Sequence, residues 1–364
     1  MTLARRIAPL AVTALTSART RSLRRALFEL GRRARGAPRR VHYFHQVDDP
    51  YSQLAAHLLP ALVERYEISL VPHLVDPPPD AAAPERARLA AFARRDAADV
   101  AAGYGLAFPA SAAEPAPGAV ALATRVLARA IEHLSFGEVA ASVGEALWSG
   151  DESALRAIAE RAGAASEDAA RAARAAGTAL RERRGHYLGA MFLYGGEWYW
   201  GVDRLHHLER RLAGERARRA GAAPVAPRPE VRDDAAASSG PRLTLDFFAS
   251  LRSPYTYIAM ERVRMLAEHY GVELVLRPVL PIVERAGLAG GEARAHLDRP
   301  GWRDELERNR QVLLELGLWG VPSFRLGGGS LPPYSTWGQD RLWRLEQEIL
   351  RRQSASRGAT VTAP

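Results

Sequence analysis

The chain has 364 residues, no cysteine and no lysine, so its formal net charge of +9 rests on arginine alone. The missing residue types exclude thiol nucleophiles, disulfides, thiolate metal sites and lysine Schiff bases. Nearly half of the residues are hydrophobic, and the length suffices for two domains of ordinary size.

The positive charge is concentrated at the start of the chain. Residues 1–40 contain eleven arginines and one acid, Glu29, which gives this segment about +10 and leaves the remainder close to neutral. A nucleic-acid-binding body would need a basic patch of its own, and the sequence beyond residue 40 has none. We therefore expect no nucleic-acid partner.

Three interpretations of this basic segment remain open. It is a solvated tail, or a weak signal peptide built from Arg5, Arg6 and the short apolar stretch 7–16. The third is an amphipathic helix over 22–33, with leucines at helical spacing, that rests on an anionic membrane surface. No stretch of about 20 apolar residues is present, so the sequence predicts no membrane span.

Two blocks of sequence recur within the chain, which indicates an internal repeat. The segment 41–52 resembles 245–256, with Pro-Tyr in both, and 200–209 matches 337–346 at seven of ten positions. A stretch rich in Ala, Pro, Arg and Ser separates the copies and predicts a flexible linker. The predicted organisation is a basic tail at 1–40, a first domain at 41–212, a linker at 213–241, a second domain at 242–352 and a disordered end at 353–364.

Both copies have the same predicted order of elements. A short apolar strand leads through a loop with Asp-Pro or Ser-Pro into a helix, and a second strand follows, which is a βαβ unit with parallel strands. A hairpin and a final helix close each copy. The first copy also contains a long Ala-rich helical stretch at about 84–184, whereas the second keeps only about 40 residues there, at 281–320.

Three motifs of the second copy resemble the DsbA-type branch of the thioredoxin-fold superfamily. They are Leu245-Asp-Phe-Phe with Ser253-Pro-Tyr, Gly320-Val-Pro-Ser-Phe, and Trp337-Gly-Gln-Asp-Arg-Leu. More closely, they resemble 2-hydroxychromene-2-carboxylate isomerases and kappa-class glutathione transferases. The resemblance implies an α/β chain of two tandem thioredoxin-like domains, the first with a long helical insertion and the second with a shortened one.

The resemblance also implies a function. The chain would be a cytoplasmic, glutathione-dependent isomerase or transferase. Its substrates would be electrophilic compounds, including aromatic ones, and it would form a homodimer. Peripheral membrane contact through the basic segment is compatible with this expectation. The alternative is a catalytically inactive tandem module that binds a protein or a small thiol. Disulfide exchange is excluded because the chain has no cysteine.

The family's functional positions can be carried over residue by residue. Ser253 would be the catalytic residue that favours the glutathione thiolate, at a helix N-terminus where free N–H groups stabilise an anion. The resemblance gives glutathione-binding roles to the backbone of Val321, to a cis Pro322, and to Gln339 and Asp340. Arg252, Tyr255 and Trp337 are candidate substrate contacts.

Simpler roles stay open for several of these residues. Ser253 and Asp340, and Asp203 in the first copy, are also typical helix N-caps. Trp337 fits a core position, and Arg252 fits a solvated surface position. No metal site is predicted, because the adjacent His206 and His207 point apart on a helix.

Each copy departs from the family pattern. The first has Asp48-Asp-Pro-Tyr in place of Ser-Pro-Tyr, and Met191 in place of the proline, so we expect it not to bind glutathione. It keeps a lid-like segment at 76–79 and 92–109 that the second copy lacks. The second copy would therefore need a lid from the first copy or from a partner chain.

Overall fold

The computed structural model describes residues 17–80, 82–83, 85–229, 241–279 and 301–360. The apolar stretch 7–16, the linker residues 230–240, the first part of the shortened insertion and residues 361–364 lie outside the described residues. Up to residue 214 the helices and strands are α1 Ala18–Ala34, β1 Arg40–His45, α2 Pro50–Ala56, α3 Leu59–Arg65, β2 Ser69–Leu74, α4 Arg86–Ala101, α5 Pro117–Glu132, α6 Phe136–Ser149, α7 Glu152–Ala162, α8 Glu167–Arg183, β3 Met191–Tyr194, β4 Glu197–Trp200 and α9 Gly201–Gly214. After the linker they are β5 Thr244–Ala249, α10 Pro254–Tyr270, β6 Glu273–Pro278, α11 Trp302–Glu315, β7 Ser323–Gly327, β8 Tyr334–Trp337, a 3-10 turn Gln339–Arg341 and α12 Leu342–Thr360.

The strands form two four-stranded sheets with the same topology. Their orders are β2-β1-β3-β4 and β6-β5-β7-β8. In each sheet the first two strands are parallel and the remaining neighbours are antiparallel. A βαβ unit followed by a hairpin and a helix, in this strand order, is a thioredoxin-like fold. The predicted fold class is therefore confirmed, with five helices between β2 and β3 and a shorter segment between β6 and β7.

The chain divides into two compact units whose boundaries are not those of the two copies. Unit 1 comprises Met1–Pro79 and Leu106–Arg228, and unit 2 comprises Asp80–Gly105 and Pro229–Pro364. The first domain predicted at 41–212 thus loses its segment 80–105, including α4, to unit 2. The alanine-rich composition of these helices does not tell which sheet each helix covers.

Buried ion pairs fix α4 in unit 2. Arg341 donates from Nε and Nη2 to the Asp96 carboxylate at 2.9 and 2.7 Å, and both side chains are at most 3 % exposed. Arg344 donates to Asp99 at 2.7 Å, and the hydroxyl of Tyr334 donates to the same carboxylate at 2.5 Å. Removal of one partner of a buried ion pair is costly, so these contacts fasten the segment firmly.

In unit 1 the helices of the insertion cover β2. Helix α8 approaches so closely that a Cβ on Gly177 would lie 2.0 Å from the carbonyl oxygen of Leu74 at the end of β2. No other residue type fits there without a shift of the backbone. In unit 2 the corresponding edge strand β6 has two large apolar side chains in solvent, Leu274 and Leu276, at 37 % and 58 % exposure.

The structure orders parts of the segments that composition marked as tails or linker, and α1 agrees with the helix that is one of the open interpretations of the basic segment. The basic segment includes α1, which packs on unit 1 through Phe28 and Glu29. Residues 215–228 belong to unit 1. There the buried Ala217 accepts from the N–H of Glu67, and the buried Ala226 donates its N–H to the Glu209 carboxylate. Helix α12 continues to Thr360 instead of ending near residue 352. Polar and alanine-rich composition indicates solubility, but contacts with a neighbouring surface can still order such a segment.

Candidate functional site

The first helix of the unit 2 sheet begins at the predicted serine. Ser253 is the N-cap of α10: its Oγ accepts from the backbone N–H of Thr256 at 3.3 Å, and Pro254 follows at the first helical position. The fixed φ of proline and its missing N–H suit that position. Ser253 as a residue is half-buried.

The Gly-Val-Pro loop lies directly beside this hydroxyl. Ser253 donates from Oγ to the backbone carbonyl of Val321 at 3.4 Å, across 68 residues of sequence. The Val321–Pro322 peptide bond is cis, as the resemblance implies. The structure thus brings together the two motifs that the resemblance places in one site.

The third motif joins this loop through its backbone. The carbonyl of Pro322 accepts from the N–H of Gly338 at 2.9 Å, which places the 3-10 turn next to the cis bond. Within that turn Gln339 donates to the Asp340 carboxylate at 2.5 Å and accepts from Arg262 of α10 at 3.1 Å. A carboxylate, an amide and a guanidinium therefore adjoin the loop, where they bond to one another and Gln339 is only 4 % exposed.

The predicted capping roles of the two aspartates are wrong. Asp340 lies within the 3-10 turn, for which Gly338 is the N-cap, and α12 begins only at Leu342. Asp203 lies in the first turn of α9, whose N-cap is Trp200. Aspartate is a common N-cap, so an aspartate shortly after Trp-Gly predicts a helix start at that residue. In unit 1 the helix instead begins two residues before Asp203, at Gly201, directly after β4 ends at Trp200.

The three candidate substrate contacts differ in their surroundings. The Trp337 ring packs edge-on against Phe92 and Trp319, at 5.5 and 5.2 Å between ring centroids. This favours the core role for Trp337, although the ring stays half-buried. Tyr255 is 55 % exposed and Arg252 is also exposed, so both are accessible at the start of α10.

Some residues near the site carry no motif that sequence reasoning could use. Arg262 lies two helical turns from Ser253 and reaches Gln339 only through the fold. Phe92 comes from α4, which sequence order assigns to the other domain. A signal for α4 does exist: its acids Asp96 and Asp99 have the same three-residue spacing as Arg341 and Arg344, with which they pair.

The equivalent turn in unit 1 is occupied by a carboxylate of the chain itself. Asp49 caps α2 and accepts from the N–H groups of Tyr51 and Ser52 at 3.2 and 3.0 Å, and from the Ser52 hydroxyl at 2.8 Å. Burial raises the pKa of Asp49 to about 6, because its effect outweighs the hydrogen bonds from Ser52 and Tyr51, which lower the pKa. The helix end that would stabilise a ligand anion therefore already has a resident acid.

Ser52 connects this turn to the loop that replaces Gly-Val-Pro. Its Oγ accepts from the backbone N–H groups of Gln46 at 3.2 Å and Ala190 at 2.9 Å, and all seven residues of α2 are buried. The adjacent Tyr43 hydroxyl lies 3.1 Å from Nδ1 of His45, and burial lowers the pKa of His45 to about 3. This network is closed to solvent and has the character of a polar core.

Two absences bear on the site. Among the described residues, no group of three or more His, Asp or Glu side chains is arranged to hold a metal ion. Within the same parts of the chain, no helix has the length and apolar character needed to cross a membrane.

Comparison with known proteins yields distant structural similarity only. A proposed DsbA oxidoreductase from Streptomyces coelicolor is 14 % identical, with 54 % of this chain and 96 % of that chain covered and a TM-score of 0.37. A proposed protein disulfide isomerase from Nitrosomonas europaea is 17 % identical, with 49 % and 97 % covered and a TM-score of 0.35. No family model matches the sequence, and no curated protein matches it. The assignment of the fold therefore rests on the strand order described above.

Proposed function

We propose that unit 2 binds glutathione and uses its thiolate in an isomerase or transferase reaction, and that the two units descend from a tandem duplication. The observation that carries the proposal is the placement of the Ser253 hydroxyl. It lies at the N-terminus of a 17-residue helix and 3.4 Å from the carbonyl of Val321. Free N–H groups and the positive end of the helix dipole favour an anion at such a position.

In this proposal each part of the site has a chemical task. Ser253 turns its hydroxyl from the Val321 carbonyl to the glutathione sulfur, donates a hydrogen bond and favours the thiolate. The backbone of Val321 pairs with the cysteinyl backbone of glutathione, and Gln339 and Asp340 hold its γ-glutamyl end. The ammonium of that end complements the Asp340 carboxylate.

The reaction follows from the thiolate. It adds to an electrophilic carbon of the substrate, a bond of the adduct rotates, and elimination returns the thiolate and the isomerised product. In a transferase the carbon–sulfur bond stays and a leaving group departs with its electron pair. Arg252 and Tyr255 are exposed at the start of α10 and are the candidates for substrate contact.

Calorimetry with glutathione tests binding, and the ultraviolet absorbance of the thiolate tests its activation. Because the chain has no cysteine, any thiolate absorbance comes from the ligand. We expect a bound thiol whose pKa lies below that of free glutathione, and loss of this shift in Ser253→Ala. Ser166→Ala is the matched control, since Ser166 also caps a helix, α8, through a 3.2 Å bond to Ala169. No binding at millimolar glutathione contradicts the proposal.

A second candidate function is a non-catalytic binding module. The observation that favours it is the closed turn of unit 1, where Asp49 fills the helix end and α2 is wholly buried. Unit 1 would then be a scaffold, and unit 2 would bind a thiol without turning it over. Binding of glutathione with no shift of its thiol pKa would support this function over the enzymatic one.

A further inference from the structure

Helix α1 is fastened to unit 1 along one side. Arg25 donates from Nε and Nη2 to the Glu197 carboxylate at 2.8 and 2.6 Å, and Phe28 packs edge-on against Tyr194 at 5.4 Å between ring centroids. Glu29, the single acid of residues 1–40, is 7 % exposed and accepts from Arg32 at 2.6–2.7 Å. This arginine lowers the pKa of Glu29 to about 2. The helix is thus held in one rotational setting.

The opposite side of α1 presents a stripe of leucines to solvent. Leu23, Leu27 and Leu30 are 60 %, 59 % and 66 % exposed. Their spacing of four and three residues puts them on one face, about 180° around the helix from Arg25 and Arg32. An amphipathic helix normally turns its apolar face to the protein, so this arrangement is reversed.

Arginines border the leucine stripe on both sides. Arg24 lies about 100° from Leu23 on one side, and Arg33 lies about 80° away on the other. Arg24 is exposed, and the Arg33 side chain is 58 % exposed. The one acid of the helix faces inward, where it pairs with Arg32 and also accepts from Nε of Arg33 at 2.8 Å. The outward surface of the described part of α1 therefore combines apolar side chains with a net positive charge, to which Arg24 contributes on one side and the partly paired Arg33 on the other.

We propose that α1 is a surface helix that seats unit 1 on an anionic lipid bilayer. The leucines would enter the boundary between headgroups and acyl chains, and the flanking guanidinium groups would lie at the level of the lipid phosphates. The occupant we commit to is an anionic bilayer, because its apolar boundary and its phosphates match the leucines and the net positive charge of this face together.

Vesicle co-sedimentation of the full chain tests the proposal. The vesicles are pure phosphatidylcholine and a two-to-one mixture of phosphatidylcholine with phosphatidylglycerol. We expect binding to the mixed vesicles that weakens as salt is raised, and little binding to the neutral ones. Equal binding to both vesicles, or none to either, overturns the proposal.

Matched variants locate the contact on α1. Leu27→Glu should lower the partition coefficient by about tenfold, because one leucine would otherwise be buried in lipid. Leu134→Glu makes the same change at a leucine that is 93 % exposed in unit 1 and should leave binding unchanged. Arg24→Glu should weaken binding to the mixed vesicles only, whereas Arg171→Glu, at an exposed position of α8, should not.

Two further measurements guard the interpretation. Circular dichroism of each variant establishes that α1 and the units remain folded. If Leu27→Glu disrupts the fold, Leu27→Ala replaces it and should reduce vesicle binding by a smaller factor. Light scattering without lipid reports the oligomeric state. If Leu27→Glu leaves vesicle binding intact, or instead dissociates an oligomer, the stripe is not a lipid surface and the proposal fails.

Discussion

The turn before the first helix of each sheet has the same backbone role in both units but a different occupant. In unit 1 it carries Asp49, whose carboxylate accepts three hydrogen bonds inside a buried network. In unit 2 it carries Ser253, a neutral and half-buried cap beside the Val321 carbonyl. A helix N-terminus needs an anion or a neutral acceptor, and a resident carboxylate leaves no place for an external anion.

The residues that follow the two turns also differ in solvent exposure: they are buried in unit 1 and largely exposed in unit 2. All of α2 is buried, and a Cβ on Gly144 of α6 would overlap the Gln53 side chain. The first turns of α10 expose Tyr255, Tyr257 and Ile258 at 55 %, 83 % and 51 %. The turn of unit 1 is thus part of a core, whereas the first turns of α10 in unit 2 are accessible. The following predictions test this comparison.

The largest effect is expected for the segment Asp80–Gly105, which belongs to unit 2 although unit 1 flanks it in sequence. Asp96→Ala leaves the buried Arg341 guanidinium without its partner, which should lower the stability of unit 2 by about 3–5 kcal/mol. Hydrogen exchange followed by mass spectrometry resolves the units separately, and we expect faster exchange in β7, β8 and α12. Asp168→Ala, which removes an exposed pair with Arg171, should change nothing measurable.

This experiment also decides how the chain is divided. If loss of Asp96 instead speeds exchange in β1–β4, then α4 belongs energetically to the first copy, and the division into units 1 and 2 does not hold.

A pH effect of about 3 kcal/mol is expected from Asp49. Its folded pKa of about 6 lies above the ordinary value of 3.8 because of burial, so the folded state binds the proton more tightly than the unfolded state. The contribution to stability is therefore full below pH 4 and is lost as pH rises from 4 to 6. Asp49→Asn removes this dependence.

Stability is measured against pH for the unsubstituted protein and for Asp49→Asn. The difference between these two profiles separates the contribution of Asp49 from that of His45. The pKa of His45 is lowered to about 3, so His45 destabilises the folded state as pH falls below 6.5, which is the opposite direction. That contribution is the same in both proteins and cancels. A flat difference profile between pH 4 and 6 would contradict a buried carboxylate at this turn.

Ser52 in unit 1 and Thr256 in unit 2 are equivalent hydroxyl residues, and their removal should lower the stability of the two units by different, smaller amounts. Ser52→Ala leaves the buried N–H groups of Gln46 and Ala190 without an acceptor, which should cost unit 1 about 2–3 kcal/mol. Thr256→Val removes the single acceptor of the Ser250 N–H, at 3.3 Å, and should cost unit 2 about 1 kcal/mol. Denaturant-dependent hydrogen exchange measures both, and equal costs would mean that the two turns are equally tied into their cores.

Sequence reasoning predicted the parts of this molecule that local patterns determine. The order of the elements with its parallel βαβ unit and the cap at Ser253 follow from patterns of residues that are close in sequence, and the cis bond at Pro322 is implied by the family resemblance. The transfer of α4 to unit 2 did not, because alanine-rich helices pack on any complementary surface. The pairing of Asp96 with Arg341 spans 245 residues, and only the shared three-residue spacing with Asp99 and Arg344 hints at it.

The smallest expected effect is the most direct test of the comparison between the two turns. Ser253→Cys places the only thiol of the chain at the N-terminus of α10, where we expect its pKa to fall at least one unit below the usual value of about 8.5. Ser149→Cys is the control, since Ser149 is exposed at the last residue of α6, where the negative end of the helix disfavours a thiolate. The rate of alkylation by iodoacetamide as a function of pH gives both values. Equal pKa values would show that the accessible turn of unit 2 stabilises anions no better than any surface position, and the contrast with the carboxylate-filled turn of unit 1 would then have no bearing on ligand binding.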